Sequence, residues 1–323
     1  MSIKYFIGPM SKNTVDAVLE FISTSGNRIG FIPSRRQVGM KEGYVNHWST
    51  KTFRRYVPRH FIVRDHAGPS QGLQDDDGYE SLKIDCKYLD MIHIDPWKRH
   101  PEYEEGLRWT VDMIKYCHQE NPNIFFEVAT EESIRRFTAA EINTLLSDLK
   151  QELNTSEYEK IKYCVIQSGT SLQRNENTGA YDKKRLKRML QIVHQHGMLA
   201  KEHNGDYLPA ELIHEKFSLG LDSINIAPEF GQIETKTYLH KIKNEKPELL
   251  ETFWQICYDS GRWEKWVDDY YDPIANKEDL INICGHYVLS HPDFIAQIHE
   301  SFKNIDGDIR RNIKQKLEEL FDG

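Results

Sequence analysis

Eight short apolar runs, rich in β-branched or aromatic residues, punctuate the first three quarters of the chain at residues 4–7, 29–32, 61–63, 91–94, 124–128, 163–166, 198–201 and 223–226. Longer amphipathic stretches separate them, and several carry helix-end signals. Thr138 and Glu141 have the spacing of a capping box ahead of Leu145, Leu146 and Leu149, which share one helical face. Asp182 is placed to cap a helix bearing Leu186, Leu190 and Val193, with Gly197 to stop it. Pro209 suits a first helical turn, and Gly220 an end. Strand and helix in alternation predict a parallel sheet. Eight strands close an α/β fold of the (β/α)8 TIM-barrel type with none left over. A doubly wound open sheet is the alternative, but no Gly-x-Gly-x-x-Gly follows any run.

From about residue 235 the strand pattern stops. Leu249, Leu250, Phe253, Trp254, Trp263, Trp266, Tyr270, Tyr271, Ile281 and Tyr287 read as helical, and their aromatic density reads as core. The expected organisation is a barrel over 1–234 and a helical C-terminal extension over 235–323, packed on the barrel or on a partner subunit. Its last helix, 308–321, presents Ile309, Ile313, Leu317 and Leu320 on one face.

Composition narrows the class. The 323 residues are 39% hydrophobic and 28% charged with a net charge of −8, which fits a soluble globular protein and argues against nucleic-acid binding, where clustered Lys and Arg dominate affinity. The opening apolar run is too short for a signal peptide and no later run approaches a membrane span, so a cytoplasmic location is expected. Five widely spaced cysteines with no Cys-x-x-Cys predict reduced, mostly buried thiols.

In such a barrel the site forms where strands end, and the polar residues collect there. The second run leads into Arg35, Arg36 and Gln37, and the third into Arg64, Asp65 and His66. His93 and Asp95 flank Ile94, Glu127 precedes Thr130-Glu131, and Gln167 follows the sixth run. The seventh delivers His203, Asn204 and Asp206, and the eighth carries Asn225. Each has a bland reading alone: His93 as a hydrogen-bonded core imidazole, Glu127 as the partner of a buried Arg, Arg35-Arg36 as a solvated corner. Together they predict a polar site, since burying them unpaired costs several kcal/mol each. His66 and His203, with His93, Glu131 or Gln167 as further candidates, offer N and O ligands for Zn²⁺ or a similar divalent ion. Asp65 is placed to move a proton, and Arg35, Arg36 and Lys201 to hold an anion. Lys201 as a Schiff-base lysine is the rival, disfavoured by Glu202 beside it.

At these residues the chain resembles the GatZ/KbaZ-type accessory subunits of class II tagatose-1,6-bisphosphate aldolase, relatives of the metal-dependent class II ketose-bisphosphate aldolases. Arg36-Gln37 with Gly43-Tyr44 is similar to the family's Asn-Gln…Gly-Tyr, and Asp65-His66-Ala67-Gly68-Pro69 to its Gly-Asp-His-x-Gly-Pro, with Arg64 in place of the Gly. Ile92-His93-Ile94-Asp95, Ala129-Thr130-Glu131, Gln167-Ser168-Gly169 and residues 202–207 continue the resemblance in order along nearly the whole chain. It implies a divalent metal on His66, His203 and His93, and Asp65, Glu131 and Asp206 in proton transfer. Arg35, Arg36, Gln37, Arg64, Asp95, Gln167, Asn204 and Asn225 would then contact a sugar or sugar phosphate. The implied activity is a carbohydrate lyase working through an enediolate. The same parts would serve a sugar or sugar-acid epimerase, and the third possibility is a non-catalytic subunit that stabilises a catalytic aldolase partner. A homo-oligomer is compatible with any of these. Arg36 and Arg64, where the family has Asn and Gly, imply a substrate different from the name-giving one.

Overall fold

The computed structural model describes residues 3–174 and 176–322. Eight parallel strands form the barrel: β1 Tyr5–Ile7, β2 Ile29–Phe31, β3 Val63–Ala67, β4 Met91–Ile94, β5 Phe125–Val128, β6 Ile161–Val165, β7 Leu199–Glu202 and β8 Ser223–Ile226. Their order in the sheet is β2-β1-β8-β7-β6-β5-β4-β3, and the ring closes through parallel bridges from Phe31 to Ile62 and from Ser34 to Asp65. Each of the eight predicted runs overlaps a strand, that at 61–63 only at Val63, since β3 runs on to Ala67.

Helices α1 Lys12–Ser25, α2 Thr50–Tyr56, α3 Tyr79–Tyr88, α4 Tyr103–Glu120, α5 Ala139–Glu152, α6 Lys183–Gln195, α7 Ala210–Ser218 and α8 Pro228–Glu245 surround it. Their ends follow the sequence signals. Thr138 and Glu141 form the capping box of α5, and Asp182 accepts from the Lys184 and Arg185 amides at the start of α6. Beyond α8 the chain is helical, with α9 Leu249–Asp259, α10 Lys277–Cys284, α11 Pro292–Gln297 and α12 Ile305–Phe321. Helix α12 buries Ile309, Ile313, Leu317 and Leu320, and its Leu320 carbonyl accepts the Tyr5 hydroxyl at 2.6 Å. The eight-stranded barrel with C-terminal helices is therefore the architecture of this chain. All five cysteines are buried and free, and among the described residues no helix is long and apolar enough to cross a membrane.

Strand parity explains where the site falls. Side chains two apart share a face, so Met91 and His93, Phe125 and Glu127, and Leu199, Lys201 and His203 project together into the barrel. The lower members join Ile3, Phe6, Val63 and Tyr163 in an apolar plug inside the ring. The upper members are polar, so the lumen is closed below and chemically equipped above.

Candidate metal centre and active-site cleft

Three imidazoles meet above the plug. The ring centroids of His66, His93 and His203 form a triangle with sides of 4.8, 5.0 and 5.1 Å. They arrive from three strands, and β3 makes a special accommodation. Neighbouring residues normally face opposite sides of a sheet, yet Asp65 and His66 both line the cleft. The register of β3 on β4 shifts between Arg64 and Ala67, and His66 adopts φ 45°, a left-handed conformation that costs roughly 1 kcal/mol or more for a residue with a Cβ. Strain of this kind persists where surroundings over-determine it. At Gly68, φ is 140° and an added Cβ would lie 2.9 Å from the Asp95 carbonyl oxygen, so only glycine lets β3 leave the barrel this close to β4.

Each imidazole is held by one nitrogen and leaves the other turned inward. His66 donates through Nδ1 to Asp95 Oδ2 at 2.6 Å, His93 through Nε2 to the Ala129 carbonyl at 2.8 Å, and His203 through Nε2 to Glu127 Oε1 at 2.6 Å. Donation at one nitrogen fixes the tautomer and presents a lone pair at the other. Among the described residues His203 Nδ1 is buried with no partner, and so is Asp65 Oδ1, which lies 3.8 Å from it and 3.8 Å from His66 Nε2. His93 Nδ1 receives a long 3.3 Å bond from the His66 amide. One ligand atom from each of Asp65, His66, His93 and His203 lies within 4.8 Å of the others.

The charges of the centre call for a cation. Burial alone would lower the pKa of His66, but Asp65, Asp95 and Glu131 outweigh it and hold the ring up to about 10, so the surroundings of this ring favour positive charge. His93 is pushed the other way, to about 4, chiefly by burial, and is a neutral ligand at pH 7. Behind the centre, burial would raise Glu127, yet Lys201 at 2.7 Å and His203 keep it ionised well below the usual carboxylate range. Two orphaned buried acceptors, three pre-set tautomers and carboxylates behind two of the rings fit a divalent ion held by nitrogen with one oxygen nearby.

The other sequence candidates divide sharply. Arg36, Gln37 and Glu131 line the cleft with Asp65 and His66; its volume is about 360 Å³. Asp95 lies behind His66 and also accepts from Thr130 at 3.0 Å. Arg35 is buried in a bidentate pair with Asp76 at 2.8 and 2.6 Å, and Arg64 in one with Asp85 at 2.9 and 2.7 Å. Gln167 uses both ends of its amide on the β5–α5 loop and on Arg185. Asp206 accepts the amides of Ala227 and Glu229, which makes it a cap for α8, with its own pKa raised by burial and Glu229. Asn204 donates to the Thr170 carbonyl at 3.3 Å, and Asn225 Oδ1 is buried without a partner. Glu127, read as a bland buried acid, is the side chain that orients His203. The signal for it was its parity with Phe125 beside a strand carrying Lys201. Lys98, Lys265, Trp266, His286 and Tyr287 line the cleft too, and nothing in the local pattern of residues 263–287 distinguishes cleft wall from core.

No family model matches the sequence, and no curated protein matches it. Solved structures do. A probable tagatose 6 phosphate kinase from Sinorhizobium meliloti 1021 is 14% identical, with 100% of each chain covered and a TM-score of 0.79. A fructuronate-tagaturonate epimerase from Cohnella laeviribosi is 11% identical, with 99% of this chain and 81% of that one covered and a TM-score of 0.63. A fructose-bisphosphate aldolase from Campylobacter jejuni is 12% identical, with 99% and 89% covered and a TM-score of 0.59. At these identities the likeness is one of fold: this chain shares its barrel and C-terminal helices with proteins named for sugar phosphates and sugar acids.

Proposed function

We propose that this chain is a divalent-metal-dependent enzyme of aldol chemistry, an aldolase-like lyase acting on a ketose phosphate, with epimerisation of a sugar or sugar acid as the alternative outcome of the same step. The observation that carries the reading is the convergence of His66, His93, His203 and Asp65, each with a spare atom facing a common point and each imidazole anchored from behind. The resemblance to the GatZ/KbaZ type, and the shared fold with an aldolase and an epimerase, support it.

His66, His93 and His203 would hold the ion, zinc being the metal best suited to three neutral nitrogens. When bound, the ion supplies Lewis acidity toward the carbonyl and hydroxyl oxygens of a substrate. Asp65 is the proposed proton carrier, because its Oδ1 is unengaged and faces the same point. In the cleavage direction a carboxylate removes the proton of the hydroxyl β to the carbonyl. The O–H electrons form a new C=O, the C–C bond breaks, and its electron pair passes to the carbon α to the original carbonyl, where a proton is later returned. Glu131, also lining the cleft, is the proposed second carboxylate for that return. Re-addition to the opposite face of the aldehyde, in place of its release, gives the epimer with no further group. Asp95 and Glu127 orient the rings, and Asp206 contributes by fixing α8.

Metal analysis of the purified chain beside His66→Ala and His203→Ala tests the centre. A bound divalent ion should be present in the native chain and lost in both variants; equal content in all three overturns the assignment. Incubating ketose phosphates and hexuronates in D₂O tests the carbon chemistry. Solvent deuterium should enter at the carbon α to the carbonyl. No exchange across the panel, with co-purification of an aldolase, would make the chain an accessory subunit.

A further inference from the structure

The proposed chemistry uses the barrel side of the cleft and leaves the facing wall unexplained. That wall is built by the C-terminal helices. Lys265, Trp266, His286 and Tyr287, from the segments around α10, close over Arg36 and Lys98, which come from the loops after β2 and β4. Arg262 backs the same wall, its guanidinium 5.5 Å from the Tyr44 ring centroid and 5.7 Å from that of Tyr287. The Lys265 ammonium stands 5.1 Å from the Tyr287 centroid and 4.6 Å from the Trp266 ring.

Among the described residues no ion pair joins Arg36, Lys98, Arg262 or Lys265 to a carboxylate, although the chain carries a net charge of −8. Among the described residues, the guanidinium of Arg36 has only the Gly72 carbonyl, at 3.1 Å from its Nε. Aromatic faces hold Arg262 and Lys265 where a carboxylate would otherwise do so, and they position a cation without neutralising it. Of the acids that line the cleft, Glu131 accepts from Ser133 at 2.7 Å, and Asp65 faces the imidazoles, 3.8 Å from His66 Nε2. At Lys265, desolvation and then the charges of Arg36, Arg262 and Lys98 lower the ammonium to about 8.

His286 is the second, independent observation. It is 2% exposed, lines the cleft, and neither ring nitrogen has a partner among the described residues. Burial, and then the charge of Lys265, depress it to about 3, so at pH 7 it is a neutral imidazole with one N–H to give. A buried polar group left unpaired costs roughly 1–3 kcal/mol. Such a cost is tolerated where a ligand supplies the missing partner.

We infer that this wall is an anion subsite which takes the phosphate or carboxylate terminus of the substrate, with Arg36, Lys98 and Lys265 supplying charge and His286 an N–H donor. The inference rests on the proposed function for what stands at the other end of the molecule. It makes the C-terminal helices a specificity element, because a polyol terminus has no charge to set against four crowded cations.

Inorganic phosphate and D-glucuronate serve as probes, titrated calorimetrically into the full chain with and without a chelator, so that the result does not depend on metal or turnover. Phosphate or glucuronate, whichever matches the natural terminus, should bind saturably. Arg36→Met/Lys265→Met should weaken that binding by at least about tenfold, as expected for losing two charge-assisted contacts. His286→Phe should weaken it less, while His66→Ala and the distant Lys241→Met should leave it unchanged. Thermal unfolding of each variant guards against misfolding. Equal binding by the native chain and the double variant overturns the subsite, as does the absence of binding of both anions by the folded native chain. Loss of phosphate binding in His66→Ala would transfer the anion to the metal centre and overturn it as well.

Discussion

Two buried charge systems lie within the same barrel and behave oppositely. Below and around the lumen, Arg64 with Asp85, Lys201 with Glu127, and Lys216 with Glu202 are closed pairs, each with further hydrogen bonds and almost no exposure. At the mouth, the imidazoles, Asp65, the cations Arg36, Lys98 and Lys265, and His286 have capacity left over. A buried charge fully matched by its own chain holds the fold together. One that is positioned but unmatched is available to something else. The same residue types, arginine and aspartate, appear on both sides of this division, so identity alone does not assign the role.

The largest test of the contrast is Asp85→Ala. It strands the Arg64 guanidinium in a site 1% exposed and should cost about 3–5 kcal/mol in chemical denaturation. Lys265→Met, the counterpart at the mouth, stands at the other end of the scale below; comparable losses in the two would erase the distinction between matched and unmatched charge.

Glu234 offers an intermediate case, buried and hydrogen-bonded to Ser11 and Asn13 but without a cation. Burial, against those hydrogen bonds, raises its pKa from 4.5 to about 7. The folded chain then keeps a proton that the unfolded chain has released between these values. Stability from this group is full below about pH 4.5, falls as pH rises to about 7, and stays low above it, a change on the order of 3 kcal/mol. Glu234→Gln should flatten the slope between pH 5 and 7 in denaturation curves; an unchanged slope would show the carboxylate to be matched after all.

Asp95→Asn should lower divalent-metal affinity by about 10–100-fold with little loss of stability, by weakening the hold on His66 Nδ1. Competition with a chromogenic chelator reads it directly, and unaltered affinity would remove Asp95 from the centre. The smallest effect expected is on the stability of Lys265→Met, within about 0.5 kcal/mol of the native chain, because an exposed cation among cations contributes no pair to lose.

Much of the frame was legible. Short apolar runs marked the eight strands, and Thr138, Asp182 and Gly197 marked helix ends where the chain does begin and end them. Harder to read was β3. The apolar run suggested a strand at 61–63, whereas the strand is Val63–Ala67 and carries Asp65 and His66 within it, because a bulge and a left-handed His66 extend pairing through polar residues. His66, His93 and His203 were all named, yet so were Arg35, Arg64, Gln167 and Asp206, which the fold uses for its own pairing.

What the sequence determined by itself was the order of the strands and which polar groups gather at the end of each, with parity failing at the β3 bulge, where Asp65 and His66 both reach the cleft. These depend on neighbours two to four positions apart, and local geometry fixes them. The tertiary structure alone decided which of those polar groups are consumed. Glu127 meets His203 across 76 positions, and the cleft wall at 262–287 meets Arg36 across more than 200. Matching of charges and hydrogen bonds over such separations depends on closure of the ring and docking of the last helices, and no local periodicity carries it.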